Sequence, residues 1–350
     1  MKRTEIVGGH RDDLPQRHRD TEKRDHTLCV SVSLWLILSV SSILSVSLSA
    51  QSLTYTKGQN IAPAYEGWEQ AADGAKFFVF GYMNRNWEEE IDVPVGAENG
   101  FNVGGADQGQ PTHFLPRRNR FVFKVPVPKN FGEKDELIWT LTTHGRTEKA
   151  YATLRPDYIL DDVVKASETG ALGAGTSSPE VRANKPPTVH IRELESRSVR
   201  AGQPVRVVSE VRDDGIPKRR DPARLAAAQA RAAAQTSGSQ PAVAARNPAL
   251  SPPTRITVGK ALGLHVSWFL YRGPAGAKVT FDPPQIKAWE DTRAGANSPW
   301  APLWSAPALP ADGVQDVHVT FSEPGTYVLR CRADDGALVA DEEITIVVTR

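Results

Sequence analysis

Residues 321–336, FSEPGTYVLRCRADDG, admit few folds. Tyr327, Leu329, Cys331 and Ala333 alternate with Val328, Arg330, Arg332 and Asp334, which is the period of a β-strand with one apolar face and one polar face. Pro324-Gly325 before the run and Asp334-Asp335-Gly336 after it are turn chemistry, so the strand is bounded at both ends. Such a strand must pair on both sides within a sheet, and it sets the pattern for everything after residue 186. The polar face is expected to meet water.

The same alternation recurs along the chain, and no helical period of useful length competes with it. In the first half the candidate strands are 76–83 (KFFVFGYM), 88–95 (EEEIDVPV), 120–127 (RFVFKVPV), 136–143 (ELIWTLTT) and 147–154 (TEKAYATL). Pro126 and Pro128 cannot donate to a ladder, which puts that strand at an edge or ends it there. In the second half they are 189–194, 199–202, 204–212, 265–271, 279–281, 314–321 and 343–349. Val266, Trp268 and Leu270 share one face of their strand, leaving His265 on the other. The fold class is therefore all-β, with antiparallel sandwiches the expected architecture.

A Tyr directly after the Gly-Thr that starts such a strand resembles the tyrosine corner of immunoglobulin-like sandwiches. The resemblance implies an inward ring at Tyr327 and a hydroxyl bonded to nearby backbone. The sequence NKPPTV at 184–189 likewise resembles the opening of PKD-like and related immunoglobulin-like extracellular repeats. A third likeness joins GYMNRNWEEEIDVPVG (81–96) and DQGQPTHFLPRR (107–118), which together resemble a module of uncharacterised secreted bacterial proteins and imply no activity.

Outside the strands the chain divides by composition. Residues 1–26 are charged and poor in hydrophobes, while 27–50 (TLCVSVSLWLILSVSSILSVSLSA) carry no charge. Serines dilute the apolar run, as suits a signal segment cleaved after Ala50 more than a permanent span. A start codon assigned too early accounts for the long charged leader, and an uncleaved anchor is the alternative. Residues 51–163 then form an N-terminal sandwich, 164–187 a flexible Gly/Ala/Ser/Thr-rich linker, and 188–350 a C-terminal PKD- or immunoglobulin-like domain. An Ala/Pro-rich insertion at 216–254 has too few large hydrophobes to bury a face.

The formal charge of +1 offers no field for nucleic acid or an anionic membrane. With Cys29 in the signal, Cys331 has no intramolecular partner, and its place on the apolar face makes it a small buried hydrophobe. The histidines after residue 50 are His113, His144, His190, His265 and His318. No pair of them has metal spacing, and no nucleophile elbow or phosphate loop is present.

Two constellations remain. The carboxylates of Asp213, Asp214, Asp334 and Asp335 leave their strands in Asp-Asp-Gly turns, where hard oxygens would suit Ca²⁺ if the loops meet at one end; the alternative is plain turn chemistry. Trp289, Trp300 and Trp304, with Glu290 and Asp291 beside them, suit stacking on a sugar or a proline-rich partner, or else cover the sandwich edge. His113, Arg117 and Arg118 in the long loop 96–119 suit an anion; the favoured alternative is a loop held by its own polar contacts. The expected function is a non-catalytic secreted or periplasmic binding or assembly module without cofactor, its partner a cell-envelope protein or glycan. A polysaccharide-active enzyme or carbohydrate-binding accessory domain is the alternative.

Overall fold

The computed structural model describes residues 55–169, 179–194, 196–218, 263–287 and 309–350. The signal segment expected at 1–50 and all but the first residues of the insertion expected at 216–254 lie outside this set. Residues Leu53–Arg350 cluster as one compact unit. Among the described residues no helix is long and apolar enough to cross a membrane.

Among the described residues the unit is all-β, with five sheets, two large hydrophobic cores and a small third cluster of Ala166, Ala337 and Leu338. In the first half, β1 (Ile61–Gln70), β2 (Lys76–Asn84) and β6 (Arg117–Pro126) form a sheet in the order β1-β2-β6. A second sheet is ordered β4-β7-β8, from β4 (Asn99–Phe101), β7 (Leu137–Thr143) and β8 (Arg146–Ala152), and a small β3-β5 pair joins Ile91–Asp92 to His113–Phe114. Leu137, Trp139 and Leu141 alternate inward as expected. Trp139 meets Phe80 and Phe123 edge-on, with ring centroids 5.9 and 5.0 Å apart.

Two elements depart from expectation. β1 was not legible, because Pro63 and Gly67 interrupt its pattern; it lies at the sheet edge, where a missing donor is tolerated. The strand expected at 88–95 shrinks to the two residues of β3, and the loop 96–119 instead carries β4 and β5.

In the second half, β10 (Ser198–Arg200), β16 (Val339–Thr349), β15 (Gly325–Asp334) and β12 (His265–Arg272) form one sheet in that order. The facing sheet is ordered β13-β14-β11-β9, from β13 (Val279–Asp282), β14 (Val314–Phe321), β11 (Val205–Arg212) and β9 (Thr188–Ile191). Tyr327 is fully buried and its hydroxyl donates to the Glu323 carbonyl at 2.7 Å, the geometry the corner resemblance implied. Trp268, Leu329, Cys331 and Ile346 complete the inner face.

The polar face of β15 does not meet water. Arg330, Arg332 and Asp334 are 5%, 2% and 2% exposed, and His265, expected outward on β12, is also buried. The reason is tertiary: the first half packs against this face. Where described, the stretch 164–187 is also bound down. α1 (Asp162–Thr169) is tied by Lys165 to Glu69 at 2.6 Å, and past α2 (Pro179–Arg182) the Asn184 amide donates to Asp335.

Candidate functional site

The chemistry of the described residues gathers where the two halves meet. β12 lies at the edge of its sheet, and the 107–118 motif runs along it. Tyr271 donates its hydroxyl to the Gly109 carbonyl, the Thr112 amide donates to the Tyr271 carbonyl, and Arg272 binds Asp107 and the Gln110 carbonyl. The motif therefore serves as a docking strip, its Gly and Pro holding backbone carbonyls and amides out where β12 can use them. Beside it, Phe121 has φ of 49° within an irregular stretch of the β2–β6 ladder, and the following Val122 carbonyl accepts from Arg330.

Arg330 and Arg332 supply the charge of this joint. Arg332 forms a two-toothed pair with Asp341, both bonds 2.7 Å, and Arg330 binds Glu343 while its guanidinium stacks on Tyr271. Burial acts to raise the Asp341 pKa, but the two guanidiniums outweigh it and hold the carboxyl below its ordinary range. A charge-paired, hydrogen-bonded network of this kind is the form in which buried ions are tolerated.

His113 sits one strand away with carboxylates on both sides. Its Nδ1 is 2.8 Å from Asp92 and its Nε2 is 3.3 Å from Glu90. Burial alone would lower its pKa, but the bonds to Asp92 and Glu90 hold it up at about 9. The other Asp92 oxygen accepts from the Gly276 amide of the second half at 2.8 Å. Arg117 lies over the Trp87 ring at 4.1 Å and donates to the Arg85 carbonyl, and Arg118 pairs with Glu66 at 2.7 Å. Of the two readings of His113, Arg117 and Arg118, the contacts match the favoured one, a loop held by its own polar groups: all three already hold internal acceptors or a ring.

A cavity of about 510 Å³ opens beside this histidine. Its walls are Trp87, Glu90, His113 and Leu115 from the first half, and Trp268, Val279, Phe281, Gln285 and Lys287 from the second. It is the flank of the second sandwich, between edge strands β12 and β13. The Gln285 side chain accepts from the Trp268 amide at 3.2 Å, and Lys287 donates to Asn119 at 2.6 Å.

The two acidic turns do lie near each other. Asn184 binds Asp335 at 2.9 Å, and the next amide, Lys185, binds Asp214 at 3.2 Å. The carboxylates are occupied by backbone, however: Asp213 takes Gly215, Asp214 takes Ile216, Asp334 takes Gly336, and Asp335 takes Ala337 and Leu338. Burial raises the Asp335 pKa to about 6 against those bonds. Among the described residues no group of three or more His, Cys, Asp or Glu gathers to hold a metal. Trp289, Trp300, Trp304, Glu290 and Asp291 lie outside the described residues. Trp87, Phe269 and Lys287, which line the cavity, carried no sequence signal, because the loop after β2 is far along the chain from β12 and β13.

No family model matches the chain, and no curated protein matches it. Among solved structures, a conjugative transposon lipoprotein from Bacteroides eggerthii is 11% identical, with 46% of this chain and 96% of that one covered, at a TM-score of 0.23. A chimeric titin Z1Z2 protein carrying a decorin peptide is 10% identical over 83% of this chain and 99% of that one, at 0.21. An adhesin of Yersinia pseudotuberculosis is 8% identical over 85% of this chain and 61% of its own length, at 0.22. At these scores the likenesses carry no argument for function.

Proposed function

We propose that this chain is an exported, non-catalytic binding or assembly module whose two halves are immunoglobulin-like sandwiches preceded by a signal segment at residues 1–50. The observation that supports the non-catalytic reading is His113. Both of its ring nitrogens face carboxylates, so beside the cavity that it helps to line it has no lone pair to offer as base or metal ligand. Cys331 is equally closed: burial pushes its thiol up to about 12. The buried charges do mechanical work, joining the halves into one rigid support for a surface.

The test has two arms. Purified protein passed over immobilised envelope glycans and envelope proteins should bind at least one of them saturably and return it unchanged, while turnover of any member of a hydrolase substrate panel would overturn the reading. Fusing residues 1–50 to a reporter active only outside the cytoplasm should give an active reporter, and an inactive one removes export. The polysaccharide-directed alternative rests on Trp289, Trp300 and Trp304, and the described residues add no observation in its favour.

A further inference from the structure

We propose that Lys287 and Asn119 form a covalent cross-link between the two halves of the chain, an amide that joins the lysine Nζ to the asparagine Cγ with loss of ammonia. This goes beyond the module reading, because it concerns the chain's own covalent structure, whatever the chain binds. The Lys287 Nζ lies 2.6 Å from Asn119 Oδ1, across 168 positions of sequence. The carbonyl bond adds about 1.2 Å at most, so the amine stands within about 3.8 Å of the amide carbon, close to the ~3.5 Å of a near-attack arrangement.

A lysine beside an asparagine is ordinarily a hydrogen bond and no more; three features of this pair point to reaction. First, Asn119 is 1% exposed, and its Nδ2 donates to the carbonyls of Leu115, Pro116 and Arg117 at 3.4, 3.2 and 3.1 Å. Those acceptors hold the amide against the amine, and they are the partners that an ammonium ion forming at that nitrogen needs. Second, the Asp341 carboxylate is near enough for its charge to act on Lys287, where it offsets the positive charge that collects on nitrogen during addition. Third, both residues line the cavity of about 510 Å³, whose walls include the exposed Thr280 and Pro284, so the released ammonia has a way to water. The step balances without an oxidant or an activating co-reactant. The Cγ–Nζ bond forms, the Cγ–Nδ2 bond breaks, and two protons of the lysine ammonium leave with Nδ2 as an ammonium ion. Enforced proximity takes the place of activation, since an amine held against an amide acts at a very high effective concentration.

The experiment is tryptic peptide mapping of the purified whole chain by tandem mass spectrometry, together with its intact mass. Trypsin cuts after Lys and Arg, so an unlinked chain gives residues 279–287 and the dipeptide 119–120 separately. The linked chain should instead give one branched peptide, 279–293 carrying 119–120 on Lys287, uncut after Lys287 and lighter than its parts by one ammonia. Lys287→Arg keeps the charge and a hydrogen-bond donor but has no amine to acylate. It should map as unlinked, and its intact mass, once the substitution is allowed for, should exceed the parent's by one ammonia; any ammonia lost elsewhere is common to both proteins and cancels. A parent that unfolds cooperatively in urea, yet yields free 279–287 and no branched peptide, would overturn the proposal. So would a loss of ammonia that maps to Asn119 alone, as a cyclised imide, with Lys287 cut normally.

Discussion

The Arg330 guanidinium lies 3.6 Å from the centre of the Tyr271 ring, at the seam where the second half of the chain meets the first. One of its nitrogens donates to the Val122 carbonyl, 208 residues away, and others bind Glu343. A single side chain thus links two strands of its own sheet to a backbone group of the opposite half. Replacing it by Met keeps the stem but strands Glu343 and the Val122 carbonyl. Arg330→Met should cost about 3 kcal/mol of stability, the usual consequence of removing one partner of a buried pair. Urea unfolding measures it; a loss under about 1 kcal/mol would mean that the seam does not depend on the charge.

His113 ties stability to pH from the alkaline side. Its folded pKa of about 9 stands above the ordinary 6.5, so its contribution is complete below 6.5 and disappears as the pH climbs to about 9. Asp92, whose pKa is lowered by the same contact despite burial, contributes in the opposite sense and is lost on acidification. His113→Gln should flatten the alkaline fall of the urea midpoint between these limits. A variant that keeps the parent's full alkaline decline would assign that decline to another group.

Gly67 marks the close approach of the chain to its own return path. Its φ is +142°, and a Cβ there would lie 2.4 Å from the Tyr158 carbonyl and 2.6 Å from the Leu160 side chain. The next residue, Trp68, accepts the Leu160 amide at 2.8 Å. Gly67→Ala should destabilise by about 2 kcal/mol or more through backbone strain and overpacking, read as a lower thermal midpoint. An unchanged midpoint would show that residues 158–160 can move aside at no cost.

Cys331 should stay unmodified when the native protein is treated with iodoacetamide near neutral pH, and become labelled in concentrated guanidinium. It is fully buried, and burial pushes its thiol up to about 12, so almost no thiolate is present. Peptide mass mapping separates it from Cys29. Labelling at equal rates in both conditions would place Cys331 at the surface.

The period-2 alternation of 327–334 determined a strand, its two faces and its turns, and with them most of the second sandwich. The same was true of 137–143, where Trp139 and its neighbours point inward as their spacing requires. It could not show β1, whose Pro63 and Gly67 hide the pattern, nor the cavity, whose walls come from both halves of the chain. Above all it could not tell what covers a polar face. Arg330 and Arg332 have long apolar stems and charged heads, so they suit water and a buried ion pair equally. Alternation says which residues share a face; whether that face meets solvent or another layer depends on contacts more than 200 residues apart, such as Arg330 to Val122. The strand at 321–336 was legible from the sequence, and the docking of the first half onto it was decided by the tertiary structure alone.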